Sequence, residues 1–242
     1  MSQHPTTGDS NPLFRWHAIA RQGMTRNSVA VYLGALLLLF VTMPYVQNLK
    51  NGGAIDSALI TVVLGMAVVA VGGRRRTLFI AIALVTPALI SRWASHFYPV
   101  NLTDLLAFVS FLAFTGFIVG QFLWFILRSP IVNSEVLCAA VAAYLMLALL
   151  WATAYSLVGR DSPDAFAGLA PNSVMTGFDA LYFSVITLTT IGYGDIAPVS
   201  GPARMLATLE AITGTMYMAM LVARLVAIYS SADYASRRDG HA

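Results

Sequence analysis

Six runs of about twenty apolar residues set the first limit on this chain, because a bilayer core about 30 Å thick takes roughly that length of helix to cross. They fall at 28–46, 54–72, 77–93, 104–127, 134–158 and 202–230. Between the second and third only "GGRRR" intervenes, and Arg74, Arg75 and Arg76 would each cost about 2.5–3.5 kcal/mol in hydrocarbon, so a turn is expected there. The balance of 58% hydrophobic to 10% charged residues agrees. Soluble domains usually hold about 45–50% apolar residues. The expected fold class is therefore an all-α, multi-pass integral membrane protein with six transmembrane helices.

The basic residues orient it. Arg15, Arg21, Arg26, Arg74, Arg75, Arg76, Arg128, Arg224, Arg237 and Arg238 fall on one side of the six spans, against Lys50, Arg92, Arg160 and Arg204 on the other. Both termini are therefore expected in the cytoplasm. The first 27 residues are polar, without the apolar core of a cleaved signal, so the first span is expected to insert itself. Sparse lysine and short loops suggest a bacterial inner membrane. With a formal charge of +3 no nucleic-acid partner is expected, and Cys138, the single cysteine, reads as a small buried hydrophobe.

Function is expected in the partly polar segment 159–201, which enters from outside and contains "TLTTIGYGDIAP", Thr187 to Pro198. Non-helical backbone at membrane depth is tolerated only where it is buried in protein or lines a watery cavity. Carbonyls exposed there need something to bind, and a dehydrated cation suits them. Successive carbonyls of L-residues cannot all face one axis with ordinary dihedrals, whereas glycine reaches positive φ without steric cost. Gly192 and Gly194, on either side of Tyr193, permit that alternation. The carbonyls of Thr190, Ile191, Gly192 and Tyr193 would then form stacked oxygen rings, with the Thr190 hydroxyl adding another below.

"TTIGYGD" resembles the selectivity filter of potassium channels. The wider "ALYFSVITLTTIGYGDIAP" is similar to the pore loops of two-pore-domain and other tetrameric potassium channels, and the resemblance covers Ser134 to Ser230. It implies a re-entrant pore helix and filter loop between the fifth and sixth spans, with K+ bound at Thr190, Ile191, Gly192 and Tyr193 and the filter closed by Gly194. Thr189 and Asp195 would support it. Asp195 would bond to Tyr182, which stands where many relatives carry tryptophan; the plainer alternative is a solvated turn carboxylate. In the best-known bacterial pore a pore-helix glutamate bonds the filter aspartate; Ile186 stands at that position here, so behaviour governed by that carboxylate does not transfer. The pore helix is expected over 178–189, capped by Thr176 or Asp179, with its negative end toward the central cavity.

Two residues of the last span have open readings. Gly214, by resemblance, sits where the inner helix bends to open the pore; a glycine also lets membrane helices approach closely. Glu210 lies about 12 Å below the outer end of its helix, near filter depth. It either braces the filter through pore-helix hydroxyls or is a protonated carboxyl that satisfies a neighbour. Arg224 is expected to snorkel to the cytoplasmic interface.

The fourth span tests a voltage-sensor reading. It has no arginine before Arg128, so steep voltage gating is not expected. The organisation expected is a cytoplasmic tail at 1–27, a four-helix transmembrane domain at 28–128, a pore domain at 129–230 and a short cytoplasmic tail at 231–242. One chain supplies one quadrant of each ring, which implies a homotetramer in membrane lipid. Passive K+ conduction needs no catalytic residue, and no cofactor is expected beyond the permeant K+ ions. The competing readings are a weakly selective cation channel and a potassium-transporter subunit.

Overall fold

The computed structural model describes residues 26–46, 49, 52–71, 75–94, 101–129, 133–170 and 173–239. Of the residues in the charge count, Arg15, Arg21, Lys50 and Arg74 lie outside the described residues, as does 1–25 of the expected tail. The described residues form seven α-helices: α1 Arg26–Val46, α2 Gly52–Val71, α3 Arg75–Ala94, α4 Asn101–Arg128, α5 Ser134–Asp161, α6 Gly177–Leu188 and α7 Gly201–Asp239. All but the short α6 are long and apolar enough to cross a membrane, and the protein is an all-α integral membrane protein.

Helices α1 to α4 pack in sequence order, each on the next, and both α1 and α4 lie against α5. Tyr32 of α1 stacks on Phe122 of α4, ring centroids 5.7 Å apart and planes within 10°. Toward one end of α2 and α3, Arg92 pairs with Asp56, and the Trp93 indole N–H donates to Thr61 Oγ1 at 3.3 Å. Pro87 inside α3 removes a helix donor. One residue earlier, the Thr86 hydroxyl donates to the Ile82 carbonyl at 2.6 Å. Arg128 ends α4 with its guanidinium 4.8 Å above the Trp124 ring, an anchoring contact at the helix terminus.

Helix α5 is capped by Asn133, whose side-chain oxygen accepts the Val136 N–H at 3.0 Å, with Glu135 in the first turn where the helix dipole favours an anion. It is the centre of the molecule, touching α1, α4, α6 and α7. Alanines at 139, 140, 142, 143, 148 and 152 are buried along it and let neighbours come close.

After α5 a 3-10 turn, Pro163–Ala165, leads to strand β1, Phe166–Ala167, which pairs antiparallel with β2, Ala197–Pro198, through Phe166↔Pro198 and Ala167↔Ala197. This two-residue clamp closes the ends of the α6 and filter segment on each other. Gly168 makes it possible: its φ is +88°, and a Cβ there would collide with the Asp195 carbonyl oxygen.

Helix α7 differs from expectation in length. It continues past 230 to Asp239 as one helix. No proline or glycine interrupts "YSSADYASRRD", so nothing local stops it before Gly240.

Candidate filter and its support

Helix α6 packs on both α5 and α7. Its apolar face is buried through Ala180, Leu181, Phe183, Ile186 and Leu188, which is why a segment too short to span is nonetheless held at the centre. The helix begins at Gly177 with φ +56°. Thr176 occupies the cap position without capping: its hydroxyl donates to Val174 O at 3.2 Å, and no side chain bonds the first-turn amides. The expected caps are thus corrected, because Gly177 turns the chain sharply just where a cap would reach forward.

The chain leaves α6 by a tight sequence of backbone bonds. Thr189 N–H donates to Val185 O and Thr190 N–H to Thr187 O, both at 3.0 Å, and the Thr189 hydroxyl also bonds Val185 O at 2.7 Å. Ile191 and Gly192 N–H then converge on the Ile186 carbonyl at 2.9 and 3.2 Å. The amide side of the filter is therefore tied back into the helix end. Among the described residues, no hydrogen bond uses the carbonyls of Thr190, Ile191, Gly192 or Tyr193.

The dihedrals alternate as well. Thr190, Gly192 and Gly194 have φ of 60°, 52° and 81°. Two of the three are glycines, for which that region carries no penalty, whereas at Thr190 it is an outlier costing about 1–3 kcal/mol that the surrounding bonds must hold in place. Residues 190–195 are all exposed on the single chain, Ile191 at 55% and Tyr193 at 71%. A row of carbonyls without hydrogen-bond partners on an exposed, non-helical segment has the chemistry to accept a cation. Among the described residues, no cluster of three or more His, Cys, Asp or Glu offers an alternative metal site.

Asp195 ends the segment. The Tyr182 hydroxyl donates to its Oδ2 at 2.7 Å, and this bond holds the Asp195 carboxyl below the usual carboxylate range. A depressed carboxylate contributes its stabilisation above the ordinary range and loses it as pH falls through the folded-state value. Tyr182→Phe is therefore expected to move acid loss of ion flux up toward the ordinary carboxylate pH. Flux titrated against external pH checks this; an unmoved midpoint would mean that Asp195 is not part of the acid response.

Behind the segment, Glu210 of α7 is fully buried. Its Oε2 accepts from the Tyr155 hydroxyl of α5, and its Oε1 meets the Ser184 hydroxyl of α6 at 2.5 Å. Ile186, apolar and 4% exposed, puts no carboxylate at that position of α6, and α7 supplies one from the other side. Gly214, one turn further along α7, lies against the end of α6: a Cβ there would collide with the Leu188 carbonyl oxygen, which also accepts the Tyr144 hydroxyl at 3.0 Å. Helix α7 runs unbroken through this point. Close approach is thus what the geometry displays at Gly214. Arg224, expected to mark the cytoplasmic end of its helix, donates to Ser129 O at 2.8 Å. It fastens α7 to the connection between α4 and α5.

Sequence reasoning missed Tyr155, Ser184 and Gly168. A signal existed for one of them: Ser184 is the polar break in the apolar run "LYFSVI".

Residues 140–231 match a family model described as an ion channel. Among curated proteins, two-pore potassium channel 4 of Arabidopsis thaliana is 36% identical over 63 residues, which is 26% of this chain and 21% of that protein. The inward rectifier potassium channel Kirbac3.1 of Paramagnetospirillum magnetotacticum is 36% identical over 87 residues, 36% of this chain and 27% of that one. A voltage-gated potassium channel of Aeropyrum pernix is 32% identical over 78 residues, 32% of this chain and 24% of that one. The chain thus spans about a fifth to a quarter of the length of these relatives. No solved structure matches it.

Proposed function

We propose that the protein is a potassium-selective channel conducting K+ passively through a homotetrameric pore, a reading supported by the match of residues 140–231 to an ion-channel family model and by the similarity to potassium channels. The observation that carries the reading is the segment from Thr190 to Gly194, in which the Ile191 and Gly192 amides bond the Ile186 carbonyl, the carbonyls of Thr190 to Tyr193 carry no hydrogen bond among the described residues, and positive φ recurs at every second residue. Four such segments about one axis would offer rings of oxygens able to replace the hydration shell of K+. In this reading α6 is the re-entrant pore helix, Glu210 and the Tyr182–Asp195 pair support the filter from behind and above, and Gly214 sets the approach of α7 to α6 and serves as the point about which α7 bends.

The exposed surface supports a tetramer. Ile191 and Tyr193 on the filter, and Met205, Leu209, Ile212, Met216 and Met220 along α7, are about half exposed or more on the single chain. Neighbouring copies in a four-fold ring would cover the filter side chains and turn part of α7 to a central cavity. In this reading 28–128 is a scaffold domain that meets the pore domain, 129–230, where α1 and α4 pack on α5. Both termini would lie in the cytoplasm of a bacterial inner membrane. No catalytic step or cofactor enters this reading.

Reconstituted protein in liposomes tests it: K+ efflux blocked by barium, with a strong preference over Na+, is the expected result. Equal K+ and Na+ flux would replace the reading with an unselective cation pore, and a folded tetramer without flux under any gradient would reject conduction through this segment.

A further inference from the structure

Three side chains from three different helices meet behind the filter: Tyr155 of α5, Ser184 of α6 and Glu210 of α7, each less than 2% exposed. The Ala148 carbonyl of α5 lies 2.8 Å from Ser184 Oγ. Three oxygen–oxygen contacts therefore join the group, from Tyr155 Oη to Glu210 Oε2, from Ser184 Oγ to Glu210 Oε1, and from Ser184 Oγ to Ala148 O. Each contact needs one proton to be a hydrogen bond. The tyrosine and serine hydroxyls bring one each, and a carbonyl brings none. With Glu210 ionised, two protons serve three contacts. With Glu210 protonated, its Oε1–H donates to Ser184 Oγ, Ser184 donates to Ala148 O, Tyr155 donates to Oε2, and all three are made.

The surroundings agree with the proton count. Among the described residues no salt bridge reaches Glu210, and the titratable groups turned toward it are Tyr155 and Tyr144 of α5. Helix α6 presents Ser184 and no ionisable group to it, and the basic residue nearest it along α7, Arg204, is six residues away with its Nε on the Pro198 carbonyl. A bare carboxylate at that depth would have no counter-charge.

We propose that Tyr155 and Ser184 are positioning residues for the filter, holding Glu210 as a neutral carboxylic acid that pins α6 to α5 and α7. The inference rests on the potassium-pore reading. The route to the ions is short: Ser184 stands two residues before Ile186, whose carbonyl anchors the Ile191 and Gly192 amides. Tyr155 extends the support outward, because its ring packs edge-on against Phe183 of α6 at 4.9 Å and against Phe166 of the β clamp at 5.8 Å. Losing the Tyr155 hydroxyl or the Ser184 hydroxyl frees one wall of the filter while leaving every ion-facing carbonyl in the chain.

The test compares K+/Na+ flux ratios in liposomes for the wild type, Glu210→Ala, Glu210→Gln, Tyr155→Phe and Ser184→Ala, each first shown to be tetrameric. Tyr155→Phe, Ser184→Ala and Glu210→Ala are each expected to lower the ratio about tenfold, one buried hydrogen bond in equilibrium terms. Glutamine carries an amide donor and an acceptor in the shape of the neutral acid, so Glu210→Gln rescues the ratio to within about twofold of wild type. Raising the pH lowers the wild-type ratio and leaves that of Glu210→Gln flat. A tetrameric Glu210→Gln protein as damaged as Glu210→Ala would overturn the proposal, since it would show that the bare charge is needed. So would wild-type ratios from Tyr155→Phe and Ser184→Ala, which would reduce the cluster to packing. Infrared spectroscopy separates this from failure of the pore reading. A carboxylic-acid carbonyl band present in the wild type and absent from Glu210→Gln supports the neutral acid even if the wild type shows no K+ preference, and its absence from the wild type overturns it.

Discussion

Gly192→Ala is expected to abolish potassium-selective flux while leaving the tetramer assembled. The cause is the backbone and not a clash, because a Cβ at Gly192 meets nothing within 4 Å on the single chain, whereas φ there is +52°. Holding an L-residue in the left-handed region costs about 1–2 kcal/mol. In the proposed tetramer every copy would bear the same cost, so four together would disfavour the conducting arrangement by about 4–8 kcal/mol, about a thousandfold or more in population. Gly65→Ala, inside α2 with open space around it, serves as the control and should conduct as the wild type does. Barium-sensitive K+ flux of wild-type size from Gly192→Ala would mean that the alternating backbone is not the ion path.

A second large effect is expected at Gly214, of a different kind. An added methyl group meets the Leu188 carbonyl oxygen, which belongs to the helix backbone and cannot swing aside, and it also lies 3.1 Å from Leu188 Cδ1. Overpacking of this sort costs about 1–3 kcal/mol per subunit, or roughly 4–12 kcal/mol over a tetramer, enough to lose the assembly or the seating of α6. Gly214→Ala should therefore lower the temperature at which the tetramer dissociates on heating, together with flux. If glycine served bending alone, the alanine variant would stay as heat-stable as the wild type and change only the fraction of time open. Heat-stability and flux measured on the same preparation separate the two.

These two glycines illustrate what the sequence could and could not convey. The dihedral requirement at Gly192 is local, set by its neighbours in "TIGYGD", and was readable without any contact. The crowding at Gly214 depends on where α6 ends relative to α7, and sequence spacing left it balanced between two roles. The spans were legible for the first reason: apolar length is a local property that the bilayer imposes. Glu210 stood out as a carboxyl inside a span, yet its partners lie 55 and 26 residues away at Tyr155 and Ser184, and a hydroxyl in an apolar helix carries no mark of what it will bond. The β clamp was illegible because two-residue strands show no alternation. Thr176 shows the opposite failure, a good capping residue displaced from its role by the positive φ of the glycine beside it.

The length of α7 has a mechanical consequence. Twenty-five residues separate Gly214 from Asp239 in an unbroken helix, an arm of about 37 Å. Rotating such an arm by about 10° at Gly214 carries its far end sideways by roughly 6 Å, while atoms beside Leu188 hardly move. In the proposed channel, leverage of that ratio would turn a small torque on the distal end into work beside Leu188, and Arg224, bonded to Ser129 partway along, would resist the swing.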